Sequence, residues 1–190
     1  MAAQTLPFVT PEQYLEMERA AEARHEYLAG QVYAMAGSSP THSLVTVAIL
    51  SELRTALRGR QCRAYSNDLR IRTSEQGPYF YPDASVVCGE LRTADEDRDT
   101  ALNPILVVEV ISKSTEAFDR GDKFAYYRRI ESLKEYVLIA QSKPHVEVFL
   151  QNGNGKWILS VFSGMDTVCR FESIGCEIPL SAIYGDISLD

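Results

Sequence analysis

The hydrophobic pattern of the chain changes period along its length, helical near the start and strand-like through the middle and end. Thr10-Pro11-Glu12-Gln13 reads as a helix start, with a Thr cap, Pro in the first turn and Gln three residues after the cap. A short helix to about Ala21 follows from it. HEYLAGQVYAM then alternates around Ala29-Gly30, which predicts a hairpin. Ser39-Pro40 opens a second helix ending near Gly59, with Leu44, Val47, Ala48, Leu50, Leu53 and Leu57 as its apolar face. Beyond it the segments CRAYSNDLRIRT and PYFYPDASVVC are strand candidates, and residues 90 to 102 form an acidic loop. ILVVEVIS is the clearest buried strand, apolar on both faces. DRGDKFAYYRRI is a helix with Phe124, Tyr127 and Ile130 turned inward. EYVLIAQ, HVEVFLQ and KWILSVFS are further strands, the last two joined by the Asn152-Gly153-Asn154-Gly155 turn. The tail adds a strand or turn at CEIPL and a helical turn at SAIYG.

No repeat or flexible linker interrupts this order, so the pattern predicts one α/β domain over residues 1–190 with a central mixed sheet flanked by helices. Within it, residues 10–36 hold the first helix and hairpin, 40–165 the core, and 166–190 a terminal strand or turn. A chain of 190 residues is long enough for a full core, and 45% apolar with 24% charged residues is ordinary globular composition. No apolar run approaches the roughly 18 residues of a membrane span. MAAQTLPFVTPEQY lacks the layout of a signal peptide, which predicts a cytoplasmic protein without membrane association. Cys62, Cys88, Cys169 and Cys176 form no CxxC pair and have no histidine at zinc-ligand spacing, so they are expected as buried free thiols.

Charge changes the picture locally. The net charge of −7 argues against nonspecific binding to nucleic acid, which relies on basic surface. Yet residues 51 to 72 hold Arg54, Arg58, Arg60, Arg63, Arg70 and Arg72 against only Glu52 and Asp68. This is either a basic stripe or a solvated helix face.

The chemistry gathers around NPILVVEVIS, where Glu109 stands inside the buried strand. An unpaired buried carboxylate costs several kcal/mol, roughly, unless a cation or hydrogen bonds compensate it. Asp83 follows Pro82 at the start of the apolar run ASVVC. If the two strands are neighbours, both acids converge on one edge of the sheet. Paired carboxylates of that kind are hard oxygen ligands suited to Mg²⁺ or Mn²⁺, which would compensate Glu109. A salt bridge from an arginine or Lys123 would do so equally. Asp119 and Lys123 are four apart on the next helix and share a face, so they either pair with each other or bring the ammonium to Glu109. A lysine there would hold a phosphate oxygen or orient an attacking water. Ser112, Ser114 and Thr115 follow the strand, but no histidine completes a triad, and GxSxG, Walker and dinucleotide motifs are absent.

VVEVISKSTEAFDRGDKFAYYRRIESLKEYVLIAQ, with the upstream YFYPDASVVCGE and RHEYLAGQVYAMAGSSPTHS, resembles the Uma2 family of endonuclease-like proteins, assigned to the PD-(D/E)xK nuclease superfamily. The resemblance covers most of the chain and implies a restriction-endonuclease-like fold. It implies a metal-dependent endonuclease that hydrolyses DNA, with Mg²⁺ or Mn²⁺ as cofactor, DNA as partner and a homodimer as the assembly. Carried over, Pro82-Asp83 is the PD element and Glu109 the acid of (D/E)xK, both implied metal ligands, with the backbone carbonyl of Val110 as a third. The chain departs from the superfamily at Ile111, where the lysine should stand, and Lys123 is the natural replacement. Glu26 matches a recurrent family position and is either a further metal ligand or a solvent-facing strand carboxylate. Asp119 matches another, with orientation of Lys123 as its role. His42, in the first turn of the second helix, is expected to cap or pack rather than bind metal, and Asp68 to pair with Arg70 or Arg72. The swap at Ile111 and the acidic balance keep a second reading open: a nuclease-fold module that binds nucleic acid or a protein without cutting.

Overall fold

The structure, a computed structural model, describes residues 8–35, 37–94 and 97–189, with only the backbone of Asp97. Most of the amino-terminal stretch weighed as a signal peptide, part of the acidic segment, and the domain limits at 36 and 190 lie outside the described residues.

The Thr10 hydroxyl accepts from the Gln13 N–H while the Gln13 side chain accepts from the Thr10 N–H, and this reciprocal cap starts α1 (Pro11–Ala20). A hairpin follows, β1 (His25–Leu28) and β2 (Gln31–Ala34), closed by Ala29 at φ 48° and Gly30 at φ 82°. Next comes α2 (Pro40–Ala56), capped by the Ser39 hydroxyl. The two long strand candidates then each break in two. CRAYSNDLRIRT gives β3 (Cys62–Ser66) and β4 (Arg70–Arg72), and PYFYPDASVVC gives β5 (Tyr79–Phe80) and β6 (Ala84–Cys88). The breaks fall at the Asn67-Asp68-Leu69 turn and at Tyr81-Pro82-Asp83, where Pro82 has no N–H to offer a ladder. At both points the chain passes from one sheet to the other.

The architecture is the expected mixed α/β one flanked by helices, with the strands divided between two mixed six-stranded sheets. The first has the order β2-β1-β5-β4-β8-β7, with β7 (Thr93–Ala94) and β8 (Asp97–Ala101) forming strands where the acidic pattern suggested a loop. The second has the order β12-β11-β10-β9-β6-β3. In it β9 (Leu106–Ile111) and β10 (Glu135–Ala140) run parallel, and β11 (His145–Gln151) and β12 (Trp157–Ser163) continue antiparallel to the edge. Edge strand β12 leaves Ile158, Leu159 and Val161 exposed. A ribbon of β13 (Val168–Phe171) and β14 (Cys176–Pro179), then α5 (Leu180–Tyr184), covers part of the second sheet; β13 was not anticipated.

All six residues of β9 are buried. Leu106, Val108 and Val110 face a core shared with α2, α5 and the ribbon, whereas Val107 and Ile111 face a second core with Phe80, Phe124, Tyr127 and Tyr136. Each such aliphatic side chain contributes about 1.5–3 kcal/mol by leaving water. Between β9 and β10 lie α3 (Glu116–Phe118), a π-helical turn (Asp119–Lys123) and α4 (Phe124–Tyr127), whose Phe124 and Tyr127 pack inward, with Ile130 just beyond, as the spacing predicts.

Two expectations are corrected, and one open alternative is narrowed. Helix α2 buries Val45, Ile49 and Leu53, leaving Leu44 and Val47 exposed. Cys62 and Cys88 stand opposite each other on antiparallel β3 and β6 and form a disulfide; Cys169 and Cys176 are the buried free thiols. The arginines of residues 51–72 do not make one stripe. Arg60 donates to the carbonyls of Ile174 and Gly175, and Arg70 is buried, donating to the Thr100 and Tyr81 hydroxyls. No helix among the described residues is long and apolar enough to cross a membrane.

Candidate active site

Strands β6 and β9 are antiparallel neighbours with Ala84 opposite Val108. Because β6 begins at Ala84, the last turn of β9 runs past its end, and Pro82-Asp83 fills the edge so opened. The Val110 N–H, left without a ladder partner on that side, donates to Asp83 Oδ2 at 2.7 Å. His42, in the first turn of α2, closes the same corner. Its Nε2 lies 3.3 Å from Asp83 Oδ2, and it also bonds the Val110 backbone.

Glu109 turns to the opposite face of β9, into the core with Val107 and Ile111. There the π-helical turn delivers Lys123, whose Nζ lies 2.9 Å from Glu109 Oε1, 3.2 Å from Glu26 Oε1 and 3.8 Å from Asp119 Oδ1. The Tyr127 hydroxyl donates to the same Glu109 oxygen at 3.1 Å. Glu26 arrives from hairpin strand β1 and is held by the Tyr81 N–H at 3.2 Å, one residue before the Pro82-Asp83 break. The Asp119 carbonyl accepts from the Tyr136 hydroxyl of β10 at 2.9 Å, which ties the π-helical turn to the sheet. Lys123 and Glu109 are each under a tenth exposed, at the floor of a cleft of about 1340 Å³.

The cluster carries more negative than positive charge. Burial pushes the Glu109 carboxyl well above the usual carboxylate range; Lys123 opposes this, while Asp119, Asp83 and Glu26 add to it. Burial likewise raises Asp119 against the pull of Lys123. Burial works against the Lys123 ammonium, but Glu109, Glu26 and Asp119 outweigh it and raise its pKa. His42 shows the same balance, with burial overcome by its bond to Asp83 and that carboxylate's charge. Each of these shifts favours the bound proton, through burial at the two carboxyls and through the neighbouring carboxylates at Lys123 and His42.

Asp83, Glu109, Lys123, Asp119, Glu26 and the Val110 backbone thus meet in one place. Glu26 is not a solvent-facing strand carboxylate, and His42 touches Asp83 rather than only capping its helix. Ile111, where the superfamily has lysine, is buried apolar filling. Asp68 pairs with Arg24 on the surface instead of with Arg70 or Arg72, because Arg70 is turned into the core. Sequence reasoning treated Tyr127 only as an anchor. Its four-residue spacing from Lys123 on a helix was the signal that its hydroxyl shares the site. It also missed the Tyr81 N–H beneath Glu26, a main-chain group that no side-chain pattern reveals. Arg120, held between Glu116 and Glu147, and His145 beside Glu147, line the same cleft and were not anticipated either.

Among the described residues no three His, Cys, Asp or Glu side chains stand as a ready metal cage. The reason is geometric: the Lys123 ammonium occupies the point where the Glu109 and Glu26 oxygens converge. The donor chemistry nevertheless suits a hard divalent ion, since the carboxylates here offer oxygen donors and negative charge is in excess.

The family model described as "Uma2: Putative restriction endonuclease" matches residues 11–181. Two proteins of Synechocystis sp. (strain ATCC 27184 / PCC 6803 / Kazusa) are similar over nearly the whole chain. The uncharacterized protein slr1290 is 34% identical over 94% of this chain and 92% of its own. The uncharacterized protein sll1609 is 32% identical over 90% and 97%. A crystal structure from Anabaena variabilis ATCC 29413, described as a "putative nuclease belonging to DUF820", superposes with a TM-score of 0.75 over 93% of this chain and 98% of that one. At 16% identity it shows a shared fold. With a family match spanning both the hairpin that carries Glu26 and the strands and helix that carry Asp83, Glu109 and Lys123, this chain belongs to the Uma2 family of restriction-endonuclease-like nucleases.

Proposed function

We propose that the chain is a metal-dependent endonuclease that hydrolyses DNA phosphodiester bonds, with Asp83, Glu109 and the Val110 carbonyl as the ligands of Mg²⁺ or Mn²⁺. The observation that carries this reading is the Lys123 ammonium 2.9 Å from Glu109, beside the strand edge that also holds Asp83. It restores from a helix the cation that Ile111 removes from the strand.

A divalent ion bound there would supply a water of lowered pKa as nucleophile and charge for the phosphate oxygens. The protein's own groups do the rest. Lys123 neutralises developing negative charge on the phosphate, and Glu109, Glu26 and Asp119 keep it charged and close by. Tyr127 fixes one Glu109 oxygen and leaves the other for a ligand, and the Val110 N–H with His42 fixes Asp83. Glu26 is a further ligand once Lys123 turns to the substrate. Cutting both strands of a duplex takes two such sites, so the proposal includes a homodimer. It also places the protein in the cytoplasm as one nuclease domain over residues 1–190.

The test is cleavage of supercoiled plasmid with Mg²⁺ or Mn²⁺ by the wild type, Glu109→Gln and Lys123→Ala, each first shown to be folded by circular dichroism. Cleavage by the wild type that both variants lose by at least about a hundredfold supports the enzyme. DNA binding without cutting in all three supports instead a non-cleaving module, the reading that Ile111 and the net charge of −7 favour. In parallel, calorimetric titration with Mn²⁺ must weaken in Asp83→Asn, or the ligand set is wrong.

A further inference from the structure

The cleft above the acid cluster has two unlike walls. One is built by the loops that follow the parallel strands β9 and β10, and carries Lys113 and Lys143, both exposed. The other is the outward face of α2 with the end of the hairpin. There Val47 is 63% exposed, and Leu50 and Met35 continue the apolar surface. Tyr33, 53% exposed, is the direct cross-strand partner of Glu26 and so projects from the same hairpin face, next to the residues that line the cleft though not one of them.

Closed duplex fits these walls poorly. Tracking a duplex relies on basic surface, because both strands present phosphates. Here the lining carboxylates outnumber lysines and arginines six to four, and Lys123 and Arg120 are already engaged by carboxylates. A paired helix also keeps its base faces stacked away from an apolar wall. An unpaired strand has half the charge density and offers those faces for aromatic and aliphatic contact.

We propose that the cleft takes its polynucleotide as an unpaired strand, with phosphates beside Lys113 and Lys143 and bases against Val47, Leu50 and Tyr33. The inference rests on the nuclease reading and names the form in which each site receives its strand.

The experiment is fluorescence anisotropy of a labelled mixed-sequence oligodeoxynucleotide, single-stranded or annealed to its complement, with Ca²⁺ present to prevent cutting. The wild type binds the single strand at least about tenfold tighter, and Tyr33→Ala with Val47→Ser brings the two within about twofold. Tyr33→Phe, which keeps the ring, retains the preference. Lys113→Ala with Lys143→Ala weakens both complexes and flattens the salt dependence of the single-strand complex by roughly 0.7 per lysine. Duplex bound as tightly as single strand, a preference untouched by the Tyr33 and Val47 changes, or no binding to either overturns the inference. Cleavage of the same two substrates in Mn²⁺ is scored separately. Selective binding without cutting overturns the enzyme and leaves the strand preference standing. Cutting of closed duplex without that preference does the reverse.

Discussion

Lys123 and Glu109 show how strongly a single buried pair is coupled. Removing the ammonium leaves a carboxylate under a tenth exposed among Val107, Ile111 and Tyr127, with the Tyr127 hydroxyl as its remaining partner among the described residues. Lys123→Met is therefore expected to destabilise the fold by about 3–5 kcal/mol, and adding Glu109→Gln to restore more than half of that loss. Urea unfolding of the two single variants and the double variant measures this, and strictly additive costs would show that the two groups do not interact. Asp83, Glu109 and Lys123 were legible as candidates because a charge inside an apolar run, or one helical turn from another, stands out against its pattern. His42 stood out only as a lone histidine in a first helical turn and Tyr81 not at all, because their part in the site depends on where α2 and β5 dock.

At the scale of elements, the pattern located the helices and strands better than it oriented them. Helix α2 has apolar residues on two faces, and only the packed structure distinguishes the buried Val45, Ile49 and Leu53 from the open Leu44 and Val47. The two long strand candidates hid a sheet switch each, since alternation continues across a turn that bends the chain into another sheet. The β1–β2 turn was legible from Ala29-Gly30, yet Ala29 sits at φ 48°, a conformation that a residue with a Cβ adopts at a cost. Ala29→Asn is expected to stabilise the protein by about 1 kcal/mol and raise its melting temperature by roughly 2–4 °C. An unchanged melting temperature would show that the turn carries no such strain.

Across the whole molecule, the mixed sheets and the family were legible because order and spacing are preserved over most of the chain, whereas the division into two sheets and the Cys62–Cys88 pairing depend on contacts distant in sequence. Stability should also depend on pH through Glu135, a fully buried carboxylate at the start of β10. It accepts from the Glu172 N–H at 2.7 Å and the Ser173 hydroxyl at 2.6 Å. Burial still raises its pKa, and the hydrogen bonds only partly offset this. A carboxyl whose folded pKa lies above its unfolded one contributes stability below the unfolded value and loses it as pH rises through the folded one. Glu135→Gln should then melt higher than the wild type near neutral pH, with the gap closing in acid; a gap independent of pH would assign the effect to packing. Edge strand β12 bears on how the protein keeps in a tube. The run from Trp157 to Ser163 has no charge, ends the sheet, and leaves Ile158, Leu159 and Val161 in water. In concentrated stocks, molecules will join there first, side by side, so the first turbidity on ageing is ribbon-like rather than amorphous.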